Sequence, residues 1–229
     1  MKNKFISLAV STLCVGALVV GASSAQAITF GFSRITDNHN LVDPSNQFWV
    51  DVTDAGNGKV AFTFHNNVGI ASSIDGIYFD DGLLEPPVIT GHSDGTFIYQ
   101  DPPLGLPSGS SASPGFVTTK EFTVGVKGTG GIDAADEWLT LTFGVGDYKT
   151  YDAVINALMN PTEQWGKDKN GKDVYLGAAL RIGLHVQSIG IVGGSDSFVN
   201  TVPDGGSTLA LLGFALLGIG SLRRRISRN

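Results

Sequence analysis

The chain has 229 residues, 42% of them hydrophobic, with one cysteine and a formal net charge of −6 at pH 7. Between the two terminal segments described below, residues 28–203 hold nine Lys and Arg (15 less the six in those segments) and 20 Asp and Glu (21 less Asp204), a net charge of −11. This excess of negative charge disfavours nucleic acids and anionic membranes as partners, since both need cationic patches, and the length suits one domain that buries a core without metals or disulfides.

The amino-terminal segment has the pattern of a secretory signal peptide. Lys2 and Lys4 precede an apolar stretch at residues 6–21, and Ala25-Gln26-Ala27 places small residues where signal peptidase needs them. The sequence therefore predicts that residues 1–27 are removed by signal peptidase after Ala27. The single cysteine, Cys14, lies in this segment, so the mature chain is expected to contain no thiol, disulfide or cysteine metal site.

Alternating apolar and polar residues predict an all-β ectodomain over residues 28–200. Phe48, Val50 and Val52 alternate with polar positions, and the same period recurs in residues 60–64 after the turn sequence at 54–58. This pattern predicts a hairpin over 47–66. Similar alternation follows at 122–126, 139–143 and 180–186, with shorter strands around residues 77–79 and 97–99. Because one face of each strand is polar, we expect an antiparallel β-sandwich of the jelly-roll type.

One helix and one long loop interrupt the strands. Thr150 is a suitable N-cap, residues 151–159 carry apolar side chains on one side, and Pro161 ends the helical stretch. Residues 101–115 are rich in proline, glycine and serine without any period, which predicts a surface loop within one domain.

The carboxyl-terminal segment, residues 201–229, combines three features in order. The motif Val202-Pro203-Asp204-Gly205-Gly206 comes first, an apolar stretch at about 207–222 follows, and the basic cluster Arg223, Arg224, Arg225 and Arg228 comes last. Residues 205–222 contain no charge and would form a helix of roughly 27 Å, close to the thickness of a hydrocarbon core. The arginines would then stay in the cytoplasm.

This arrangement resembles the PEP-CTERM class of bacterial sorting tails, and most closely its VPDSG-CTERM variant, with Gly205 where that variant has serine. The resemblance implies cleavage near the motif by an exosortase, a membrane-bound transpeptidase-like enzyme, and an association with extracellular polysaccharide. Residues 74–81, 151–159, 180–187 and 193–200 also resemble the ectodomains of such proteins, which supports a β-rich fold and implies no activity. An ordinary membrane anchor is the alternative reading of the tail.

Several candidate sites also have ordinary structural explanations. Residues 91–95 match the G-x-S-x-G pattern around Ser93, but the following residues predict a strand, whereas a nucleophile elbow needs a helix. A hairpin turn is therefore favoured. Three acidic groups offer oxygens that Ca²⁺ would accept, although solvated turns explain them as well. These groups are residues 168–173, Asp80 and Asp81 with Glu85, and Asp133, Asp136 and Glu137.

The histidines and aromatic residues give weaker indications. His39, His65, His92 and His185 lack metal-ligand spacing, and the strand phase of His65 and His185 predicts exposure. Aromatic side chains available for stacking on a sugar are Trp49, Tyr148, Tyr151, Trp165 and Tyr175. Trp165 is the best candidate for a glycan contact, because its surroundings predict a polar, lysine-rich loop.

The sequence as a whole predicts an exported cell-surface or matrix protein, held in the inner membrane by its tail before processing. We expect no catalytic residues and no cofactor, with Ca²⁺ as an open possibility. The alternatives are a carbohydrate-binding module of the same fold, a secreted hydrolase, and a permanently anchored surface protein.

Overall fold

The computed structural model describes residues 27–203, apart from 39–40, 82, 94–97, 102–103, 126–129, 162, 168–170, 172 and 179. Within this part of the chain, there are one α-helix and twelve strands. The helix is α1 (Tyr151–Met159). The strands are β1 (Ile28–Arg34), β2 (Phe48–Gly56), β3 (Lys59–Asn66), β4 (Ser73–Asp80), β5 (Val88–His92), β6 (Ile98–Asp101), β7 (Lys120–Val124), β8 (Trp138–Gly144), β9 (Glu163–Lys167), β10 (Asp173–Ala178), β11 (Arg181–Ile189) and β12 (Gly194–Asn200).

Ten of these strands form one antiparallel sheet in the order β5-β8-β3-β2-β1-β12-β11-β4-β7-β6. β1 joins its two halves: residues 28–31 pair with β2, whereas residues 32–34 pair with β12. The prediction of an antiparallel all-β domain with a single helix is therefore confirmed, and so is the predicted hairpin, which consists of β2 and β3.

The sheet curls so that its two halves share one core. β3 and β4 stand third and eighth in the strand order, yet the ring centroids of Phe62 and Phe79 are 5.4 Å apart. Phe79 also lies 4.8 Å from Phe143 and 6.2 Å from Phe122. All four side chains are buried. The alternation seen in the sequence thus points one residue in two into a common aromatic core.

The helix closes the core beside β2, as its sequence predicts. The Thr150 side chain accepts a hydrogen bond of 3.2 Å from the backbone N–H of Ala153, and Val154 and Leu158 are fully buried. The Tyr151 hydroxyl donates a hydrogen bond of 3.0 Å to the carbonyl of Val52. This bond fixes the first turn of α1 against the sheet.

The predicted surface loop at 101–115 follows β6, and part of it is buried. Leu106 and Phe116 pack with Tyr78 and Val199 on the outer face of the second half of the sheet, outside the main core. A Cβ atom added at Gly183 would lie 2.8 Å from the side chain of Leu106, so only glycine allows this close approach. The segment from Leu104 to Thr118 therefore covers one outer face.

A separate hairpin follows α1. β9 and β10 pair antiparallel, with Lys167 opposite Asp173, and most of the predicted acidic turn at residues 168–173 lies outside the described residues. Trp165 lies on β9 opposite Tyr175. The prediction that Trp165 occupies a loop is therefore wrong, because the surrounding polar residues form a paired strand. Over the residues that the structure describes, no helix is long and apolar enough to span a membrane.

Replacing Phe79 with alanine tests the shared core. We expect Phe79→Ala to lower the free energy of unfolding by about 3–5 kcal/mol, because the cavity would open where both halves of the sheet meet. Urea denaturation of the purified protein measures the change. Val88→Ala is the control, since Val88 is 62% exposed. A loss for Phe79→Ala no larger than that of the control would contradict the packing of the two halves.

Candidate functional site

The motif of the carboxyl-terminal tail begins directly after a central strand. β12 pairs with β1 on one side and β11 on the other, and the backbone N–H of Thr201 then donates a last hydrogen bond of 2.9 Å to the carbonyl of Gly31. Val202, the first motif residue, is 43% exposed. The tail therefore leaves the fold without a folded spacer.

The two ends of the described domain are directed towards the same end of the sheet. β1 and β12 are antiparallel, with Phe32 opposite Asn200, so β12 runs towards the end of the sheet at which β1 starts. Ala27, where cleavage is predicted, is exposed directly before β1. Of the predicted processing residues, Val202 and Pro203 are also described. Those outside the described residues are Ala25, Asp204, Gly205, Gly206, Arg223, Arg224, Arg225 and Arg228.

The carboxylates of Asp80 and Asp81 are buried ion-pair partners, so the prediction of a solvated acidic turn is wrong for both. Asp80 accepts hydrogen bonds from the guanidinium of Arg181, and Asp81 lies 2.7 Å from Nζ of Lys120. The Tyr148 hydroxyl also donates to Asp81 at 3.2 Å. Burial of this phenol and the nearby carboxylate raise the pKa of Tyr148. Both carboxylates are thus paired with cationic side chains of the protein.

The acidic residues before β8 stabilise a turn. Glu137 accepts hydrogen bonds from the backbone N–H groups of Asp133 (2.7 Å) and Ala134 (3.0 Å), so its carboxylate stabilises the turn before β8. Burial and the neighbouring Glu137 raise the pKa of Asp133. In the described part of the chain, no group of three or more His, Cys, Asp or Glu residues is arranged to hold a metal ion. Asp168 lies outside the described residues.

Ser93 does not lie on a strand-to-helix elbow. It follows β5, and the next described element is the strand β6, which lies at the opposite edge of the sheet. The expected hairpin between these strands is therefore wrong. The Ser93 hydroxyl accepts a hydrogen bond of 3.0 Å from the backbone N–H of Trp138 and also contacts its carbonyl at 3.3 Å. Ser93 thus anchors the start of β8.

A polar cleft lies on the outer face of β4, β7 and β11, beside the part that the loop covers. Its volume is about 330 Å³, and it is lined by Asp75, Tyr78, Thr123, Val124, Gly125, His185 and Gln187. Tyr78 lies over Gly76, because a Cβ atom there would be 2.7 Å from the phenolic oxygen. His185 is half-buried, so the prediction of an exposed histidine is wrong.

Burial and the neighbouring charge have opposite effects on the pKa values of the two titratable groups in the cleft. Burial lowers the pKa of His185, while the neighbouring Asp75 carboxylate favours the protonated ring and opposes that shift. Burial raises the pKa of Asp75, and a hydrogen bond from Ser73 and the charge of His185 oppose that shift. Asp75 is the one carboxylate among the described lining residues. Hydrolysis of glycosides generally uses two carboxylates across a cleft, which this lining lacks within the described residues.

A row of aromatic side chains lies on the outer face of the other half of the sheet. The register places Trp49 beside His65 and His65 beside Trp138. The rings of Trp49 and His65 stack 4.8 Å apart at an interplanar angle of 12°. Burial lowers the pKa of His65, although Asp51 opposes the shift. The half-buried position of His65 again corrects the predicted exposure.

Two of the other aromatic candidates serve the core. Tyr148 and Tyr151 pack against it and use their hydroxyl groups on Asp81 and Val52. Trp138 was not among the candidates from the sequence, although its position at the polar phase of a strand, next to Glu137, was a usable signal for an outward tryptophan.

One comparison with known proteins identifies the tail. Residues 201–226 match the family model described as VPDSG-CTERM motif. The chain therefore carries a sorting tail of the PEP-CTERM type, which indicates an exported, cell-surface protein that an exosortase-type enzyme processes. Searches of curated proteins and of solved structures gave no match.

The charges in the polar cleft lead to a pH prediction. Asp75→Asn should lower the pKa of His185 further below its ordinary value of 6.5, because the variant removes the carboxylate that favours the protonated ring. Histidine NMR titration measures this pKa, and His65 is the internal control because its partner is Asp51. A pKa of His185 that is unchanged in the variant would contradict the geometry of the cleft.

Proposed function

We propose that the protein is an exported cell-surface or extracellular-matrix component that is held in the inner membrane by its tail, released by an exosortase-type enzyme and associated with extracellular polysaccharide. The observation that carries this proposal is the VPDSG-CTERM match at residues 201–226, which starts at the residue where the sheet ends.

The position of the motif suits a membrane-embedded processing enzyme. Thr201 makes the last backbone hydrogen bond to the sheet, and the exposed Val202 follows. Pro203 lacks a backbone donor, and Gly205 and Gly206 give the backbone wide conformational freedom, so this stretch favours an extended chain that a protease site can accept. Because the folded domain ends one residue before the motif, the enzyme must act close to the surface of the domain.

The arrangement of β1 and β12 supports a precursor that is held at the membrane through segments at both ends of its domain. A signal peptide before Ile28 and a membrane helix after the motif would both leave the fold on the same side. Neither segment would have to cross the domain to reach the bilayer. Residues 205–222 are just long enough to span it, and the basic cluster would keep the end of the chain in the cytoplasm.

A non-enzymatic ectodomain fits the candidate sites best. Ser93 bonds to the backbone of Trp138, and Asp80 and Asp81 pair with cations in the interior. The polar cleft retains one carboxylate and one imidazole among its described residues. A hydrolase remains the rival, and it would require a hydrolytic activity that Asp75→Asn or Ser93→Ala abolishes.

Changing the motif tests the sorting proposal. We expect a Pro203→Ala, Asp204→Ala double variant to accumulate in the inner membrane with its tail intact, whereas the wild-type chain leaves that fraction in a shorter form. Immunoblots of inner-membrane, outer-membrane and extracellular fractions, probed against the ectodomain, measure both size and location.

Thr208→Ser is the matched control, because it changes the tail outside the motif and keeps the span uncharged. It should be processed like the wild-type chain. Wild-type processing of the double variant would show that the processing enzyme does not recognise the motif, and the tail would then act as an ordinary anchor.

A further inference from the structure

The two halves of the curled sheet differ in what covers their outer faces. On the β4–β11 side, Leu106 and Phe116 from the covering loop are buried against the sheet. On the β8 side, Trp138 is 36% exposed and the edge residue Val88 is 62% exposed. We define the β8 strip as the outward residues along β8 and their neighbours on β3 and β5, namely Trp138, Thr140, Thr142, Gly144, Lys59, Ala61, Thr63, His65, Thr90 and Gly91.

Trp138 is a fixed aromatic surface at one end of this strip. A Cβ atom at Gly91 would lie 2.8 Å from two carbons of the six-membered ring, so the indole rests on the backbone of β5. The Ser93 hydroxyl holds the backbone of Trp138 from the same side. This part of the six-membered ring is therefore in contact with β5, and the side chain remains 36% exposed. A preformed ring of this kind loses little conformational entropy when a ligand stacks on it.

The adjoining ring pair is also held rigidly. Asp51 accepts a hydrogen bond from Nε1 of Trp49 at 3.3 Å and lies 3.4 Å from Nε2 of His65. The Thr29 hydroxyl donates to the same carboxylate at 2.5 Å. The stack beside Trp138 is thus fixed by a polar network, so the aromatic end of the strip is built before any ligand arrives.

Hydroxyl groups continue the strip along β8. The Oγ1 atoms of Thr63 and Thr140 are 2.9 Å apart, and those of Thr90 and Thr142 are 2.8 Å apart. Each hydroxyl offers one donor and two acceptor positions. Thr63, Thr140 and the exposed Thr90 can therefore bond to a further hydroxyl, whereas Thr142 is 9% exposed and is held by Thr90. Ala61 lies beside Thr142 in the register and adds little bulk there.

A cavity forms the other end of the strip. Its volume is about 380 Å³, and Asn57, Lys59, Glu85, Thr90 and Thr142 contribute polar groups to its lining. From Trp138 to Gly144 the strand advances by roughly 20 Å at about 3.4 Å per residue. A ligand that uses both ends must therefore be an extended, hydroxyl-rich chain.

We infer that the β8 strip binds an extended, neutral polysaccharide chain, with one sugar ring stacked on Trp138 and further hydroxyl groups bonded along the threonine pairs to the cavity. This inference names the site of the polysaccharide association in the proposed function and rests on that function. The neutral class follows from charge: residues 28–203 carry a net −11, which repels polymers rich in uronic acids.

The probe is a glycan array that carries both neutral and uronic-acid-containing oligosaccharides, screened with the chain recovered from its native host. We expect binding to neutral oligosaccharides and a preference for longer ones. Titration calorimetry with the best neutral oligosaccharide should then show affinity reduced about tenfold or more by Trp138→Ala, since a central stacked tryptophan commonly carries such a share of binding.

Three further variants make the result decisive. Thr140→Val removes one hydroxyl, leaves Trp138 in place and should weaken binding about two- to tenfold. Gly91→Val should weaken binding by displacing the indole. Ile191→Ala removes a fully exposed side chain from the turn between β11 and β12, outside the β8 strip, and should bind like the wild-type chain. Thermal melting identifies any variant that fails to fold.

Binding to acidic glycans only, binding to no glycan, or unchanged binding by both Trp138→Ala and Thr140→Val would overturn the assignment. None of these results bears on whether the tail is cleaved, because processing is measured by chain size and location. Failure of the sorting proposal would conversely leave glycan binding by the strip intact and measurable.

Discussion

The split pairing of β1 is the constraint on which the rest of the structure depends. One half of this strand completes the layer of β2, β3, β8 and β5, and the other half pairs with β12 and so with the opposing layer. The strand therefore turns a ten-stranded sheet back on itself and lets Phe79 meet Phe62 and Phe143 across the core. The same pairing directs the start of β1 and the end of β12 towards the same end of the sheet, which suits the proposed precursor held at one membrane surface.

The difference between the two outer faces depends on a buried ion pair that holds the covering loop on one of them. The buried pair of Asp80 and Arg181 reaches the covering loop, because Arg181 also donates hydrogen bonds to the carbonyls of Pro114 (2.5 Å) and Gly115 (2.7 Å). Removing one partner would leave an uncompensated buried charge, so this pair fixes the loop on its face. The β8 face instead keeps Trp138 and paired threonines, and this difference between the two faces is why a ligand surface is assigned to one of them.

Local patterns in the sequence predicted the strands and the helix, which depend on interactions between neighbouring residues. Alternation gave the strands around Phe62, and Thr150 and Pro161 gave the bounds of α1. Contacts between residues that are far apart in the sequence could not be predicted. Nothing near Asp80 in the sequence shows that Arg181, 101 residues later, will neutralise it. The β8 strip was missed for the same reason, since Gly91 and Trp138 become neighbours only through the pairing of β5 with β8. The tail needed no tertiary contacts, because its motif, apolar span and arginines are contiguous.

The most direct test of the account is the intact mass of the native protein, recovered separately from the inner membrane and from the cell surface or medium. The account predicts a surface species that starts at Ile28 and ends within or next to the motif at residues 202–206, with any further mass identifying an attached group. A mature species that retains Arg228 and stays in the inner membrane would contradict it, and the tail would then be a permanent anchor.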